Sequence, residues 1–580
     1  MEFKKINSAL AMLNVLSDYG VKHIYGLPGG SINSTMEALY NDQSNIEYIQ
    51  VRHEEVGALA AAAHSKLTKK IGVCFGSAGP GAVHLLNGLY DAKHDKTPVL
   101  AIIGQVSSKF MNTNYFQEMN EDPMLRDVSV YNRVVMDPQQ MPYMVEDAIR
   151  AAYEYNGVAC LTIPVDFGTV DINDTYITSA KQFNIKHPIA EESDIDAAID
   201  LLKQAKQPLL FYGIGAKGCK DELKELSTKL QMPVVSTALA RNIIGDDFEN
   251  YLKASGRLGT KPATEAIAHA DLIMFVGSDF PFAQVMFRPD QKFIQIDIKP
   301  SIVGKRHRVD VGINADAKST LRSIIDKLDG NVTESAYLKA CKINMDYWNK
   351  YTKDLANLKL EKVTAENIMA NLANILKDDA IIVGDVGNVS IQCVRNIDFK
   401  PNQLWTTSGI YATMGYGVCG GIAAKLAYPS RQVVTVNGDG GFSMVCQDIL
   451  TQVKYNLPVI NIVMSNDSLG FIESEQYATQ HIFGVDLYEA DFGLMAKSMS
   501  AVGYTVNSIE ELKMVFEQDE VINPTKPVVI DVKISQNRPL PTHRLELDPN
   551  KFSQEQISNF KKAYYINEMP LFKDILAKLI

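Results

Sequence analysis

The stretch RQVVTVNGDGGFSMVCQDILTQVKYNLPVINIVMSNDSLGF, residues 431–471, determines how the rest of the chain is interpreted. Its β-branched start, 431–436, predicts a buried parallel strand that ends at a glycine-rich turn, and a helix is expected from about Ser443. A second buried strand, 459–464, leads to Asn466. Because ligands of doubly wound sheets bind beyond the carboxyl ends of the strands, we expect Asp439 and Asn466 to meet at one ligand site.

Oxygen donors of this kind favour magnesium. Asp439 supplies a charged carboxylate, Asn466 supplies a neutral amide oxygen, and a backbone carbonyl near Ser468 can complete the shell. Gly438 and Gly440 flank the aspartate and let backbone amides approach a diphosphate. An isolated Gly-Asp-Gly is usually only a turn. Here it follows a strand, and an asparagine ends the next strand 27 residues later, which indicates a site for a magnesium diphosphate.

Length and charge restrict the classes of protein to consider. A chain of 580 residues exceeds a single core and predicts about three domains. The net charge of −11 argues against nucleic-acid and anionic-membrane partners, which require a basic face. Seven widely spaced cysteines indicate neither a disulfide framework nor a zinc site. No apolar run is long enough to span a bilayer, so a cytoplasmic protein is expected and a membrane partner is disfavoured.

Strand and helix patterns alternate along most of the chain, which predicts an α/β fold of three doubly wound parallel-sheet domains. We expect an N-terminal domain over 1–180, a central domain over 190–330 and a C-terminal domain over 360–540, followed by a tail over 541–580. The segment 330–364 is interpreted as a linker. Glycine-rich or charged corners follow several strands and are candidate ligand sites.

Glu54 is the candidate catalytic carboxylate. It lies between the strand pattern IEYIQVR and the alanine-rich helix pattern VGALAAAAHSK, where a glutamate can simply be a charge at a helix start. The apolar flanking sequence favours a desolvated carboxyl group that exchanges protons. Glu55 is the second choice, and His53 can be structural.

The central segment contains a dinucleotide-binding pattern. Gly213-Ile-Gly215-Ala-Lys-Gly218 follows the strand PLLFY and precedes a helical segment, which is the context that the fingerprint requires. The acidic residue expected about twenty positions later is missing, and this argues against a standard NAD ribose contact. A flavin is therefore favoured.

The motifs HIYGLPGGSIN, IGVCFGSAGPGAVHLLNGLYDA, FQEMNEDP, YATMGYG, NGDGGFSM and NDSLGFIESEQ together resemble the thiamin diphosphate-dependent superfamily, and within it the pyruvate oxidase family. The resemblance covers nearly the whole chain. It implies thiamin diphosphate, Mg²⁺ and FAD as cofactors. It also implies that Glu54 bonds the aminopyrimidine ring of the coenzyme and promotes formation of the reactive ylide.

The resemblance assigns further residues. Met414 would be the apolar support beneath the coenzyme, although ordinary core packing is an equal alternative. Phe116, Gln117 and Glu475 would line the substrate end, with His84 nearby, although each can be a surface or core residue. The FAD contacts implied are Gly213, Gly215, Ser255, Arg257, Gly277, Asp297 and Asp316; the two aspartates can instead be turn residues.

The function implied is oxidative decarboxylation of pyruvate with phosphate and oxygen to acetyl phosphate, carbon dioxide and hydrogen peroxide. Acetolactate synthase and a quinone-linked, acetate-forming pyruvate oxidase are the alternatives, and a cofactor-binding protein that has lost activity is a third. In the superfamily the coenzyme lies between the first domain of one chain and the third domain of another, which implies a homo-oligomer, with a homotetramer expected. The apolar spacing in MPLFKDILAKLI fits either a membrane-docking segment or a packing helix.

Overall fold

The computed structural model describes residues 3–41, 46–479, 481–535, 538–542, 547, 549–566 and 569–580. Within these ranges the chain forms three six-stranded sheets whose strands are all parallel, and a small antiparallel pair, β1 with β8. Alternate residues of the sheet strands enter different cores: Val73 and Phe75 of one strand pack on one face, and Cys74 packs on the other. This two-sided burial confirms the expected fold of three doubly wound α/β domains.

The first sheet has the strand order β3-β2-β4-β5-β7-β6. Its domain comprises β1 (Lys5–Asn7), α1 (Ser8–Asp18), β2 (His23–Gly26), α2 (Asn33–Asn41), β3 (Glu47–Gln50), α3 (Glu54–Thr68), β4 (Gly72–Gly76), α4 (Pro80–His94), β5 (Val99–Gln105), α5 (Asp122–Arg126), β6 (Ser129–Val134), α6 (Met141–Tyr155), β7 (Val158–Pro164) and β8 (Asp171–Asn173).

The middle sheet has the order β11-β10-β9-β12-β13-β14, the 3-2-1-4-5-6 arrangement of dinucleotide-binding folds. Its elements are α7 (Glu192–Gln204), β9 (Pro208–Tyr212), α8 (Lys220–Leu230), β10 (Val234–Ser236), β11 (Tyr251–Ala254), α9 (Lys261–His269), β12 (Leu272–Val276), α10 (Ala283–Met286), β13 (Lys292–Asp297), β14 (Val311–Asn314) and α11 (Ala317–Lys327).

The third sheet has the order β16-β15-β17-β18-β20-β19. Counted along the chain within each domain, its strands have the same spatial order as those of the first sheet. Its elements are α13 (Ala365–Ile375), β15 (Ile381–Gly384), α14 (Asn388–Asn396), β16 (Leu404–Thr406), α15 (Tyr416–Ala427), β17 (Val433–Gly438), α16 (Asp439–Val445), α17 (Ile449–Lys454), β18 (Val459–Ser465), α18 (Gly470–Thr479), α19 (Phe492–Ser498), β19 (Val502–Val506), α20 (Ile509–Phe516), α21 (Asp519–Ile522) and β20 (Val528–Lys533).

Two segments differ from the sequence-based expectation. The expected linker contains a long helix, α12 (Ala336–Ala356), which packs on α9 and buries Trp348. The helix expected from about Ser443 begins at Asp439, because Phe442 and the glycines before it are buried and tertiary packing overrides their weak helix propensity.

The tail forms α22 (Gln554–Ala563) and α23 (Phe572–Ala577). The apolar side chains of α23, Phe572, Ile575 and Leu576, are buried in the same core as Phe275 of the middle domain. This helix therefore packs on the protein. No helix in the described part of the chain has both the length and the apolar character needed to cross a membrane.

The first and third domains share a core. Helix α3 packs on α4 and on α15, and its run of alanines leaves space for these close contacts. A Cβ atom at Gly88 of α4 would lie 2.5 Å from the backbone nitrogen of Leu59, which explains the glycine there. The dense packing of α3 fixes the position of its first residue, Glu54.

Candidate active site

The Asp439 carboxylate is held at the junction of β17 and β18, which are parallel neighbours. Its Oδ1 accepts a hydrogen bond from the Gly440 amide at 2.8 Å, and its Oδ2 accepts from the amides of Asn466 at 3.0 Å and Asp467 at 2.7 Å. Burial raises the pKa of Asp439, and these amide donors oppose the rise. The structure thus brings Asp439 and Asn466 together, as the strand pattern predicted.

Two asparagine side chains meet beside this carboxylate. A Cβ atom at Gly470 would lie 2.9 Å from Nδ2 of both Asn388 and Asn466, so the glycine leaves room for both amides. Oδ1 of Asn388 is buried and has no hydrogen-bond partner within the described ranges. Such an orphaned oxygen indicates space for a ligand. Asn388 lines the same cavity as Asp439, and sequence reasoning missed it.

Ser468 lies on the loop after β18. Its hydroxyl group donates to Oε2 of Glu473 at 3.0 Å, and its backbone carbonyl accepts from the Gly470 amide at 2.8 Å. The hydroxyl is therefore engaged away from the cavity. The backbone carbonyl retains a second lone pair, which is the group that the sequence interpretation proposed as a metal ligand.

Asp385 is a second buried carboxylate at this edge of the sheet, and sequence reasoning missed it. It follows β15, the neighbour of β17, and its Oδ1 accepts from the Val386 amide at 2.7 Å. A Cβ atom at Gly441 would lie 2.4 Å from its Oδ2, so the start of α16 packs directly on this carboxyl group. Burial raises its pKa to about 7. The signal in the sequence was that this aspartate directly follows the strand pattern AIIVG.

Met414 lies over the glycine turn. A Cβ atom at Gly440 would lie 3.2 Å from its Cε, and the residue is half-buried in the cavity wall rather than enclosed in a core. Ala412 has a φ of 57° and Gly415 a φ of 87°, so the chain bends sharply on both sides of the methionine. Met414 is thus presented to the cavity above Asp439.

One cavity of about 1220 Å³ joins the middle and third domains. It is larger than the usual range for a single small ligand. The predicted site residues that line it are Gly215, Ser255, Arg257, Gly277 and Asp297 from the middle domain, and Met414, Gly438, Asp439, Gly440, Asn466 and Ser468 from the third. The two predicted cofactor corners therefore open into the same space.

The glycine corner of the middle domain lies at the point where the strand order reverses, between β9 and β12. The Gly213 amide donates to the Val276 carbonyl, and the Gly215 amide donates to the Gly277 carbonyl, each at 2.9 Å. A Cβ atom at Gly215 would lie 2.8 Å from that Gly277 carbonyl oxygen. Only glycines allow the backbone at Gly215 and the backbone at Gly277 to approach this closely. The result is a bare backbone surface, without side chains, at the switch point.

The remaining predicted flavin contacts differ in their positions. Ser255 has a buried hydroxyl group without a hydrogen-bond partner in the described part of the structure, and it lines the cavity. Asp297 also lines the cavity; its Oδ1 accepts from the Lys299 amide at 2.9 Å, and burial raises its pKa. Asp316 is the N-cap of α11, bonded to the Ser319 amide at 2.9 Å, and does not line the cavity.

Glu54 is the first residue of α3 and is buried. Its Oε2 lies 2.9 Å from Nδ1 of His84, and the imidazole rings of His53 and His84 stack with centroids 4.3 Å apart. Glu55 points elsewhere: its Oε1 accepts from Nδ2 of Asn87 at 2.6 Å. The two adjacent glutamates thus occupy different environments, which the sequence alone did not distinguish.

The segment with Phe116 and Gln117 is an exposed loop. Phe116 is 77% exposed, and Gln117 has a φ of 61°. A Cβ atom at Gly79 would lie 2.9 Å from the Gln117 carbonyl oxygen, so the loop packs over the corner after β4. Nearby, burial raises the pKa of Glu121 to about 8, and Nε2 of Gln105 donates to its Oε2 at 3.1 Å. Sequence reasoning missed Glu121.

Glu475 lies on α18 and forms an ion pair with Arg257 of the middle domain. The Arg257 guanidinium also lies over the Phe471 ring, 4.9 Å from its centroid. A predicted substrate residue and a predicted flavin residue are therefore in direct contact. Within one chain, Glu54, His84, Phe116 and Gln117 are not among the residues that line the cavity beside Asp439.

Comparison with protein-family models gives three matches that follow the three domains. Residues 6–124 match the thiamine pyrophosphate enzyme N-terminal TPP-binding domain, residues 195–324 match the central domain, and residues 385–532 match the C-terminal TPP-binding domain. Each match lies on one of the three sheets described above.

Proteins that are similar over nearly the whole chain support the same family assignment. The chain is 43% identical to a pyruvate oxidase of Lactiplantibacillus plantarum, over 97% of this chain and 94% of that protein. It is 38% identical to a protein of Bacillus subtilis that is named as thiamine pyrophosphate-containing, over 98% of each chain. An acetolactate synthase large subunit of Corynebacterium glutamicum is more distant, at 27% identity over 92% of this chain and 88% of that one. The chain therefore belongs to the thiamin diphosphate-dependent enzyme superfamily, and within it to the pyruvate oxidases.

Proposed function

We propose that this protein oxidises pyruvate with phosphate and dioxygen to acetyl phosphate, carbon dioxide and hydrogen peroxide, using thiamin diphosphate, Mg²⁺ and FAD. The observation that carries the proposal is the single cavity that joins the flavin corner of the middle domain to the Asp439 corner of the third. The 43% identity to a pyruvate oxidase, against 27% to an acetolactate synthase, supports pyruvate oxidation over ketoacid condensation.

The donor set of the third domain fits a magnesium diphosphate. Asp439 would provide the anionic ligand, Asn466 a neutral amide oxygen and Ser468 its backbone carbonyl. The starts of α14 and α16 both line the cavity, and the positive ends of helices favour a diphosphate. The buried Oδ1 of Asn388, which has no partner among described residues, supports a ligand at this place.

The middle domain fits a dinucleotide. Gly213, Gly215 and Gly277 provide a backbone surface at the switch point, and the Ser255 hydroxyl group lacks a protein partner within the described ranges. Asp297 would accept hydrogen bonds from ligand hydroxyl groups, and Arg257 would place a cation beside the flavin diphosphate. Asp316 would not contact the flavin directly, and its role would be to cap helix α11.

When bound, thiamin diphosphate supplies the electron sink for decarboxylation, and FAD supplies the oxidant. Glu54 is the residue that would hold and exchange the proton at the aminopyrimidine, because its buried carboxyl group is fixed at the start of α3. Met414 would support the coenzyme from below. Its half-buried thioether in the cavity wall can be contacted by a ligand.

Phe116, Gln117 and Glu475 would form the substrate end, with His84 next to Glu54. The contact between Glu475 and Arg257 supports this arrangement, since it links the substrate end to the flavin end. Phosphate would enter where helix starts and glycine corners favour an anion.

The active enzyme would be a homo-oligomer, at least a dimer and expected to be a tetramer, located in the cytoplasm. The separation of Glu54 and His84 from the Asp439 cavity of the same chain supports this, because a complete site then needs the first domain of one chain and the third domain of another.

The deciding experiment adds pyruvate to the purified holoenzyme without oxygen. We expect the flavin absorbance to bleach, air to restore it with peroxide formed, and acetyl phosphate to accumulate only when phosphate is present. Acetolactate as the main product without bleaching would assign the chain to acetolactate synthase. Bleaching with acetate and no dependence on phosphate would assign it to the quinone-linked oxidases.

A further inference from the structure

Two lysines from different domains face the glycine corner of the large cavity. Lys69 follows α3 of the first domain, and Lys217 lies within the corner Gly213–Gly218 of the middle domain. Both line the cavity together with Gly215 and Gly277. They bring two positive charges, one from each domain, to the cavity that contains this glycine corner.

Neither ammonium group has a hydrogen-bonding or ionic partner among the residues that the structure describes. Three other cations of the cavity wall, Lys96, Lys305 and Arg306, each form an ion pair with Asp279. Burial, together with the smaller effect of the charge of Lys69, lowers the pKa of Lys217 to about 8. Burial also lowers the pKa of Lys69. The protein thus leaves two interacting positive charges uncompensated in a confined space.

The backbone fixes both lysines in place. Lys69 has a φ of 64° and its amide closes the last turn of α3 on the Ser65 carbonyl at 2.9 Å. The Lys217 amide donates to the Ile214 carbonyl at 3.1 Å in the short turn that follows β9. Lys220, the first residue of α8, also lines the cavity and adds a third charge beside them.

We propose that Lys69 and Lys217 form a clamp for a diphosphate group, and that the diphosphate of the flavin dinucleotide is its occupant. Two positive charges match the two negative charges of a dinucleotide diphosphate, and the glycines of the corner let the ligand lie close to the backbone. The clamp rests on the proposed flavin function and extends it, because it requires the first domain to contribute to binding at the middle domain.

The test uses the full-length protein freed of flavin, with Lys69→Met, Lys217→Met and the double variant. Lys70→Met is the matched control, because Lys70 is the next residue, carries the same charge and does not line the cavity. Affinities for FAD and riboflavin are measured by fluorescence quenching, and those for ADP and inorganic pyrophosphate by calorimetry. Thiamin diphosphate affinity serves as the control for folding.

We expect each single substitution to weaken FAD binding about tenfold, as loss of a charge-assisted hydrogen bond would, and the double variant to lose more. Riboflavin, which has no phosphate, should bind all variants equally, and Lys70→Met should bind FAD as the wild type does. Lys217→Arg should retain most of the affinity. Unchanged FAD affinity in the double variant, or equal losses for FAD and riboflavin, would overturn the clamp.

The same titrations separate the clamp from the flavin assignment. If the wild type binds neither FAD nor riboflavin, the flavin assignment fails. The titrations with pyrophosphate and ADP then test the clamp by themselves. Binding of pyrophosphate or ADP by the wild type that the double variant loses would then support a diphosphate site with another nucleotide as occupant. No binding of pyrophosphate or ADP in that case would overturn the clamp as well.

Discussion

His84 Nδ1 and Glu54 Oε2 lie 2.9 Å apart at the start of α3, and the His53 ring stacks on the imidazole of His84. The glutamate is buried while its histidine neighbour is partly exposed, with 42% of the His84 side chain accessible. A carboxyl group held in this way has a fixed direction and an imidazole beside it that can exchange protons. These are the requirements for a group that exchanges a proton with a bound ring.

We predict that Glu54→Gln retains both cofactors and loses most activity. The amide keeps the shape and hydrogen bonds of the carboxyl group but cannot exchange a proton, and positioned proton transfer is worth about 10² to 10⁴ in rate. Steady-state pyruvate oxidation, with flavin and thiamin diphosphate content measured, tests this. Glu55→Gln is the control, because Glu55 bonds Asn87 instead. If Glu55→Gln is the slower enzyme, the wrong carboxylate has been chosen.

Asp439→Ala should abolish magnesium-dependent binding of thiamin diphosphate and leave the flavin spectrum intact. The reason is that Asp439 provides the predicted anionic ligand, while the flavin corner belongs to another domain. Titration of thiamin diphosphate by circular dichroism, at several magnesium concentrations, measures the effect. An unchanged affinity would refute the metal assignment.

Mixing the Glu54→Gln and Asp439→Ala variants should restore activity if each active site uses residues of two chains. After subunit exchange, about a quarter of the sites combine Glu54 from the Asp439→Ala chain with Asp439 from the Glu54→Gln chain. Activity should therefore recover to about a quarter of the wild-type value, measured after co-refolding or co-expression. No recovery, although mass spectrometry shows mixed oligomers, would place both residues in a site formed by one chain.

Glu121 should make the protein less stable as the pH rises. Burial raises its pKa from 4.5 to about 8, so the native state keeps a proton that the unfolded chain loses above about pH 4.5. Stability should fall progressively between these values, by a few kcal/mol at about 1.4 kcal/mol per unit of pKa difference. Below pH 4.5 both states carry the proton and the penalty vanishes.

The apparent Tm of Glu121→Gln, compared with the wild type from pH 6 to pH 9, checks this. The variant should lose less stability over that range because its side chain does not ionise. Glu118→Gln is the control: Glu118 lies in the same loop, and backbone amides hold its pKa below the usual value, so its titration lies outside the range. Parallel pH profiles for Glu121→Gln and the wild type would contradict the prediction.

Much of the fold was predictable because local patterns and tertiary packing agree over most strands. The β-branched runs that became β17 and β18 are buried up to the end of each run, and each is followed by a charged or glycine-rich corner. The start of α16 was predicted too late. Its two glycines, Gly440 and Gly441, have poor helix propensity, and tertiary packing, such as that of Gly441 on Asp385 just after β15, overrides it.

The candidate site was predictable where ligands follow strand ends in sequence, as Asp439 and Asn466 do. Asp385 and Asn388 were missed because their importance arises from the sheet order, which places β15 beside β17. Lys69 and Lys217 were missed for a similar reason: they are far apart in sequence, and only the approach of two domains brings them to one cavity. Local periodicity contains no information about such contacts.

The contact between Gly215 and Gly277 has a consequence for saturation mutagenesis. Each glycine would place a Cβ atom within 3 Å of the other's backbone, and Gly277 also has a φ of 59°. Neither position should tolerate any other amino acid, not even alanine, although Gly215 is exposed to the cavity. A fitness map of this gene would then score an exposed residue as strictly as a core residue. Selection at that position would act on the fit between two backbones, before any cofactor binds.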